Sequence, residues 1–422
     1  MRERLLQFIW QHQHFDKQEL TTIDGEPLHI LNQGVFNTHQ GPDFKSAMVK
    51  INGTTWAGNV ELHTNSSDWD LHKHSSDKNY DNIILHVVWC HDKEIENGAG
   101  FRLATLELQS RVSKLLLQKF SDLMQNVSFI PCENQIAEIT NLVMQGWLQR
   151  LNVERLEQRS KVILELFHQS NNHWEETLWI SIAKNFGLPV NSEGFEKIAR
   201  SIPLNILVKH KDHVIQLEAL LFGQAGLLDQ SFNEKYPAML RKEYLFYQKK
   251  YGLEKIDQEL YFLRMRPSNF PSIRLAQLAM LIHLSSHLFM QLIECSSIKE
   301  VRQLLEVSAN DYWHYHYSFN TVGAFKEKHL GTGMINSILI NTVIPVLFAY
   351  GLLHDEHSYK DRALQWLEEI ASEKNSITRG FERIGLKNRN AADSQALIQL
   401  KKSYCNKKRC LDCAVGCAVL GI

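Results

Sequence analysis

The chain has 422 residues, 44% hydrophobic and 22% charged, an ordinary globular composition with length for two or three domains and a sizeable core. A formal net charge of −1 gives no global bias toward nucleic acid or membrane, so any polyanion site must come from local clustering. Seven cysteines, four of them within the last eighteen residues, fit reduced or metal-bound thiols better than a secreted disulfide framework.

The opening MRERLLQFIWQHQHF predicts an amphipathic surface helix over Arg2–Phe15 and lacks the apolar run of a signal peptide. Leu28–Asn32 reads as a strand and Gln33–Gln40 as a polar loop. A hairpin follows: Phe44–Ile51, an Asn52-Gly53 turn suited to positive φ, and a return strand Thr55–His63 in which Gly58 implies a bulge or a close backbone approach. Thr64–Asp81 reads as a loop with a short helix. Ile83–Cys90 is almost continuously apolar, as a central strand buried on both faces would be. Phe101–Gln109 alternates as a strand, and Arg111–Met124 is a helix.

These elements describe an α+β domain over 1–138. An irregular all-α domain is expected over 139–377, with helices including Leu142–Phe167, Phe232–Tyr251, Ile273–Leu292 and Met334–Leu353. The last of these is interrupted by Asn336, Asn341 and Pro345, which suits a buried helix of a cytoplasmic protein better than a membrane span. A third segment, 378–422, is set apart by its cysteines and by nine Lys/Arg against two acids between Thr378 and Cys410.

The stretch Gly41–His91 is the richest in chemistry. Asp43 opens one hairpin strand, and Glu61 and His63, two apart, share a face of the other. His72 and His74 follow in the loop, and Asp68 and Asp70 are weaker additions. Converging carboxylates and imidazoles suit divalent metal ions. Singly, each has a blander role: Asp43 as a turn cap, Glu61 and His63 as a solvent-facing pair, His86 as a neutral histidine of a buried strand.

Pro42-Asp43, a hairpin and Glu61-Leu62-His63, after an amino-terminal helix containing Glu3, resemble the PD-(D/E)XK nuclease superfamily. That resemblance implies a restriction-endonuclease-like fold, Mg or Mn at Asp43 and Glu61, and phosphodiester hydrolysis of DNA or RNA. His63 stands where the superfamily has lysine. An imidazole serves as base or ligand but lacks a lysine's permanent charge. Over nearly its full length the chain also resembles a bacterial domain-of-unknown-function family, through GPDF, WAGNVELH, SDWDLHKH, YDNIILHVVW, RPSNFPSIRLAQLA and CNKKRCLDC.

Cys405, Cys410, Cys413 and Cys417 offer four thiolates for zinc or an iron–sulfur cluster. Cys417 lies in an apolar run, and if it is merely buried, Cys132 is the candidate to complete the set. Some nucleases of that superfamily staple their fold with a cluster on one upstream and three downstream cysteines, at spacings unlike these. Lys407, Lys408 and Arg409, with Arg264, Arg266 and Arg274, are candidate phosphate binders. Three readings remain open: a metal-dependent nuclease with Asp43, Glu61 and His63 as its catalytic set; a non-catalytic nucleic-acid-binding or scaffold protein; and a metallohydrolase whose ligands are His63, His72 and His74.

Overall fold

The computed structural model describes residues 1–257 and 259–421. They form two units, Met1–Trp147 with Lys401–Ile422, and Leu148–Leu400. The amino-terminal unit begins with helix α1 (Glu3–Gln11), whose Leu5, Leu6, Phe8, Ile9 and Trp10 are buried. Strands β1 (Leu28–Asn32), β2 (Val35–Phe36), β3 (Phe44–Ile51) and β4 (Thr54–Asn65) follow. Asn52 and Gly53 take φ of 46° and 85°, the paired positive values that a type I′ hairpin turn requires between β3 and β4.

After a short helix α2 (Asp68–Leu71) come β5 (Ile83–Cys90), β6 (Thr105–Glu107) and helix α3 (Lys114–Gln125). The sheet runs β1-β3-β4-β5-β6, with β2 also paired to β3. The hairpin side is antiparallel, whereas β4, β5 and β6 are parallel. The β4–β5 connection must therefore cross over, and it carries His72 and His74 back past the carboxyl end of β4. Gly58 sits where an added Cβ would lie 2.4 Å from Ile84 Cγ2 and 2.7 Å from the Asn82 carbonyl, so glycine is what lets β5 approach β4 there.

The strand read over Phe101–Gln109 shortens to Thr105–Glu107. Arg102 instead bridges to Glu96 and pairs with Asp24 and Glu94 at 2.7 and 2.9 Å, which takes its segment off the sheet ladder.

Among the described residues the second unit is built of helices, with long loops and only isolated β-bridges between them, and the 29-residue helix Asn141–Gln169 spans the boundary at 147/148. Its core includes Phe222, Trp313, Ile344 and Trp366. The expected Ile273–Leu292 helix divides into Pro271–Leu284 and Leu288–Glu294, bent by 74°, with His287 at φ 52°. The expected Met334–Leu353 helix contains a π turn, Leu339–Val343, just before Pro345. Proline cannot donate to the preceding turn, and Arg159 donates instead to the Ile340 carbonyl at 2.9 Å and to Asn341 Oδ1 at 2.8 Å. Thr332–Leu353 is long and apolar enough to cross a membrane, yet 72% of its most apolar window is buried in the unit.

The tail read from composition as one segment from 378 divides at 400/401. Residues up to Leu400 belong to the helical unit, and those from Lys401 to the amino-terminal one.

Candidate metal centre

Period-two alternation puts Glu61 and His63 on one face of β4, and register pairs Glu61 with His86 on β5. Three of the site's side chains thus come from two central parallel strands. The crossover supplies His72 and His74 and is fastened at its start. Ser67 donates its N–H and hydroxyl to the Asp92 carboxylate at 2.9 and 2.7 Å, and these bonds, the hydroxyl's first, pull Asp92 down to about 2. Trp69, fully buried, donates its ring N–H to Ser75 Oγ at 2.9 Å and packs against His63, His74, Tyr80 and His86. Lys73 takes φ 60°, the left-handed turn between His72 and His74.

The result is a continuous polar chain. Gln7 Nε2 donates to Asp43 Oδ1 at 2.8 Å, and Asp43 Oδ2 accepts the Leu62 N–H at 3.2 Å. The Asp43 N–H in turn donates to Glu61 Oε2 at 2.9 Å. The other Glu61 oxygen lies 3.4 Å from His74 Nε2 and 3.8 Å from His63 Nε2. His63 Nε2 lies 3.1 Å from His72 Nδ1, and His63 Nδ1 is 2.9 Å from His86 Nε2. Glu61 therefore joins an acidic group (Glu3, Asp43) to an imidazole group (His63, His72, His74).

Burial sets the protonation. It pushes Glu61 up to about 9, helped by the Asp43 charge, and Asp43 up to about 7, helped by Glu3 and opposed by the Leu62 N–H and Gln7. It pushes His63 down to about 2, His86 to about 3 and His74 to about 4, with neighbouring imidazoles adding to the effect. Tyr80, stacked on His74 at 3.8 Å, is raised by burial and then by Glu61 and Asp43.

The residues fit a metal ion. One donor atom from each of His63, His72 and His74 lies within 4.8 Å of the others. Imidazole nitrogens bound tetrahedrally at 2.0–2.1 Å are about 3.3 Å apart, close to the 3.1 Å between His63 and His72. His74 Nε2 is buried without a hydrogen-bond partner, as a ligand nitrogen would be. His86 grips the other nitrogen of His63, the kind of outer contact that fixes a ligand's tautomer and aim.

The remaining candidates are placed elsewhere. Asp68 accepts the Asn65 N–H at 2.9 Å, and Asp70 pairs with Lys93 at 2.6 Å near the surface. Arg264, Arg266 and Arg274 lie in the helical unit, where Arg274 is engaged by Asn269 and Gln277 at 2.7 and 3.0 Å. Lys407, Lys408 and Arg409 lie in the other unit. Lys408 donates to the Met124 carbonyl, Arg409 pairs with Asp412 at 3.0 Å, and Lys407 is exposed. Cys132, Cys405, Cys410, Cys413 and Cys417 all lie in the amino-terminal unit with free thiols.

Gln7, Trp69 and Tyr80 carry no signal of their own in the sequence, and His86 reads there as one histidine of a histidine-rich stretch, placed in a buried strand. Glu3 and Gln7, one helical turn apart and bonded at 3.3 Å, carried the available signal, an i, i+4 polar pair beside an apolar face.

An imidazole–carboxylate cluster on a mixed sheet, followed in the chain by an all-helical unit, defines the class: a two-unit α+β and α protein with a candidate metal centre. Residues 3–376 match the family described as "Protein of unknown function (DUF2851)", and the chain belongs to that family. Neither a curated protein nor a solved structure matches it.

Proposed function

We propose that the chain is a metal-dependent hydrolase whose ion is held by His63, His72, His74 and Glu61, with phosphodiesters of DNA or RNA as its substrate class. The observation that carries this reading is the convergence of three imidazole nitrogens with one Glu61 oxygen, 3.4 Å from His74 and 3.8 Å from His63. A set rich in nitrogen suits zinc, manganese or iron better than magnesium. Mg or Mn at Asp43 and Glu61, which the nuclease resemblance implies, is the competing assignment. Against it, both Asp43 oxygens already accept hydrogen bonds from Gln7 and Leu62.

When bound, a divalent ion would supply an acidified water and a Lewis acid for a phosphoryl oxygen. The chain's own groups do the positioning. The Asp43 N–H fixes Glu61, and His86 fixes His63. The Glu61 carboxyl, which burial keeps protonated in the metal-free protein, would give up its proton on taking up the ion beside His74 Nε2. The phosphodiester substrate rests on the Pro42-Asp43 and Glu61-x-His63 resemblance. His63 in place of lysine favours one other reading, a nucleic-acid-binding protein that does not cut.

The test is cleavage of labelled single- and double-stranded DNA and RNA with zinc, manganese or magnesium. Metal-dependent cleavage that is lost in His72→Ala and Glu61→Gln supports hydrolysis. Binding without cleavage under every metal leaves the non-catalytic reading.

A further inference from the structure

Cys132 and the cysteines of the carboxy-terminal segment lie in one unit, although the entire helical unit separates them in sequence. We propose that Cys132, Cys405, Cys410 and Cys413 form a second, four-thiolate metal centre, for a zinc ion or an iron–sulfur cluster, that staples the carboxy-terminal segment to the amino-terminal unit.

The set is chosen by mutual proximity. Each of these four thiols lies near enough to the others for its charge to bear on theirs. Cys417 spends its S–H on the Leu411 carbonyl at 3.4 Å. Cys132, Cys410 and Cys413 are buried, each 6% exposed.

The backbone is shaped to the same end. Cys410 opens the turn Cys410–Asp412 and Cys413 follows it, and the final helix Ala414–Leu420 packs against both that turn and the turn Glu133–Glu138 that follows Cys132. An added Cβ on Gly416 would lie 2.2 Å from the Cys410 carbonyl, so only glycine lets the last helix close over that cysteine. Backbone N–H groups of Val415 and Gly416 hydrogen-bond to the Cys413 sulfur, the donors a thiolate would use.

Burial raises all four thiols, helped by neighbouring thiols at Cys132, Cys405 and Cys410 and by Asp412 at Cys413, with Cys132 and Cys410 reaching about 12. A bond set joining Cys132 to Cys405 closes a loop of roughly 270 residues, where a cross-link removes most entropy from the unfolded chain. Otherwise the segment is held by contacts such as Arg4–Asp412 at 2.8 Å, the Trp147–Tyr404 ring pair and Lys408 on Met124.

The experiment uses the full chain carrying His72→Ala and His74→Ala, which leaves the histidine centre too few ligands to retain an ion, purified without oxygen from zinc- and iron-supplemented cells. Zinc, iron and acid-labile sulfide are measured per chain. Stoichiometric zinc, or iron with sulfide and visible absorption, supports the proposal and says which centre it is. A metal-free chain in which all seven cysteines titrate as free thiols overturns it. Cys132→Ser and Cys410→Ser are expected to lower metal content at least tenfold, and Cys417→Ser to leave it unchanged. Full retention in Cys132→Ser, or loss in Cys417→Ser, overturns the four-cysteine assignment. Should Cys132→Ser fail to fold, the metal content of the parent chain still decides.

Discussion

Replacing Glu61 by glutamine keeps the side chain's shape and the bond from the Asp43 N–H but removes the titrating group. In the metal-free protein Glu61 is 6% exposed and its carboxyl is pushed up to about 9, against an ordinary value of 4.5. The sign follows from linkage. A carboxyl that the fold holds protonated costs stability as pH rises above its unfolded value, and the loss continues until the folded carboxyl ionises. From about pH 5 to about pH 8 the unfolded chain gives up this proton and the folded chain keeps it, so three pH units at ~1.4 kcal/mol each make about 4 kcal/mol an upper limit. Glu61→Gln should therefore gain on wild type by about 2–4 kcal/mol across that interval, allowing for relaxation around the charge. Because the chain has two units, a global melt is the wrong readout. Hydrogen exchange of β4 and β5 amides in chelator-treated protein, corrected for intrinsic rates, reports the local opening energy. A wild type and variant that change in parallel between the two pH values would refute the buried-carboxyl argument. Saturating zinc or manganese should reverse the order, making wild type the more protected.

The imidazoles give the opposite slope. His63 is depressed to about 2, so its contribution is present above about pH 6.5 and is lost as pH falls, by about 2 kcal/mol at about pH 5; unchanged β4 protection on acidifying metal-free protein would contradict this. His86→Ala should weaken metal binding about 10–100-fold without removing a ligand, as loss of an outer contact does, and chelator competition measures it. Gly58→Ala drives a Cβ to 2.7 Å from the Asn82 carbonyl, which cannot rotate away; a cost of about 1–3 kcal/mol is expected in the denaturation of the amino-terminal unit. Gly223→Ala sets a Cβ 2.0 Å from the Tyr244 ring, and should lower the unfolding midpoint of the helical unit by at least a comparable amount, read by helical circular dichroism.

Local patterns in the sequence reached the hairpin because its cause is local. Asn52-Gly53 fixes the turn, and alternation then fixes which residues share the face of Glu61 and His63. The same alternation could not show that β5 brings His86 under His63, since register between strands joined by a crossover is set by packing far along the chain. Helix breaks were hidden for a similar reason. Ser285–His287 carries no glycine or proline to announce a bend, and the π turn before Pro345 is stabilised by Arg159, some 180 residues away. Composition drew the tail as one basic segment. The division at 400/401 reflects which unit each half packs into, and charge counts carry no information about that.

The placement of Glu61 bears on what the site is for. Core residues of a purely structural cluster are arranged so that buried polar groups satisfy one another. Here two acids are brought together, and four imidazoles line the far side of one of them. Without a cation the acids must hold protons and the imidazoles must stay neutral, and burial enforces both. Two imidazole nitrogens, His74 Nε2 and His86 Nδ1, are still left buried without hydrogen-bond partners. A divalent ion among His63, His72, His74 and Glu61 would ease the acids' repulsion, use the free nitrogen of His74, and leave His86 to support His63. One species thus answers the carboxyl and imidazole strain together, which neither a proton nor a rotamer change does.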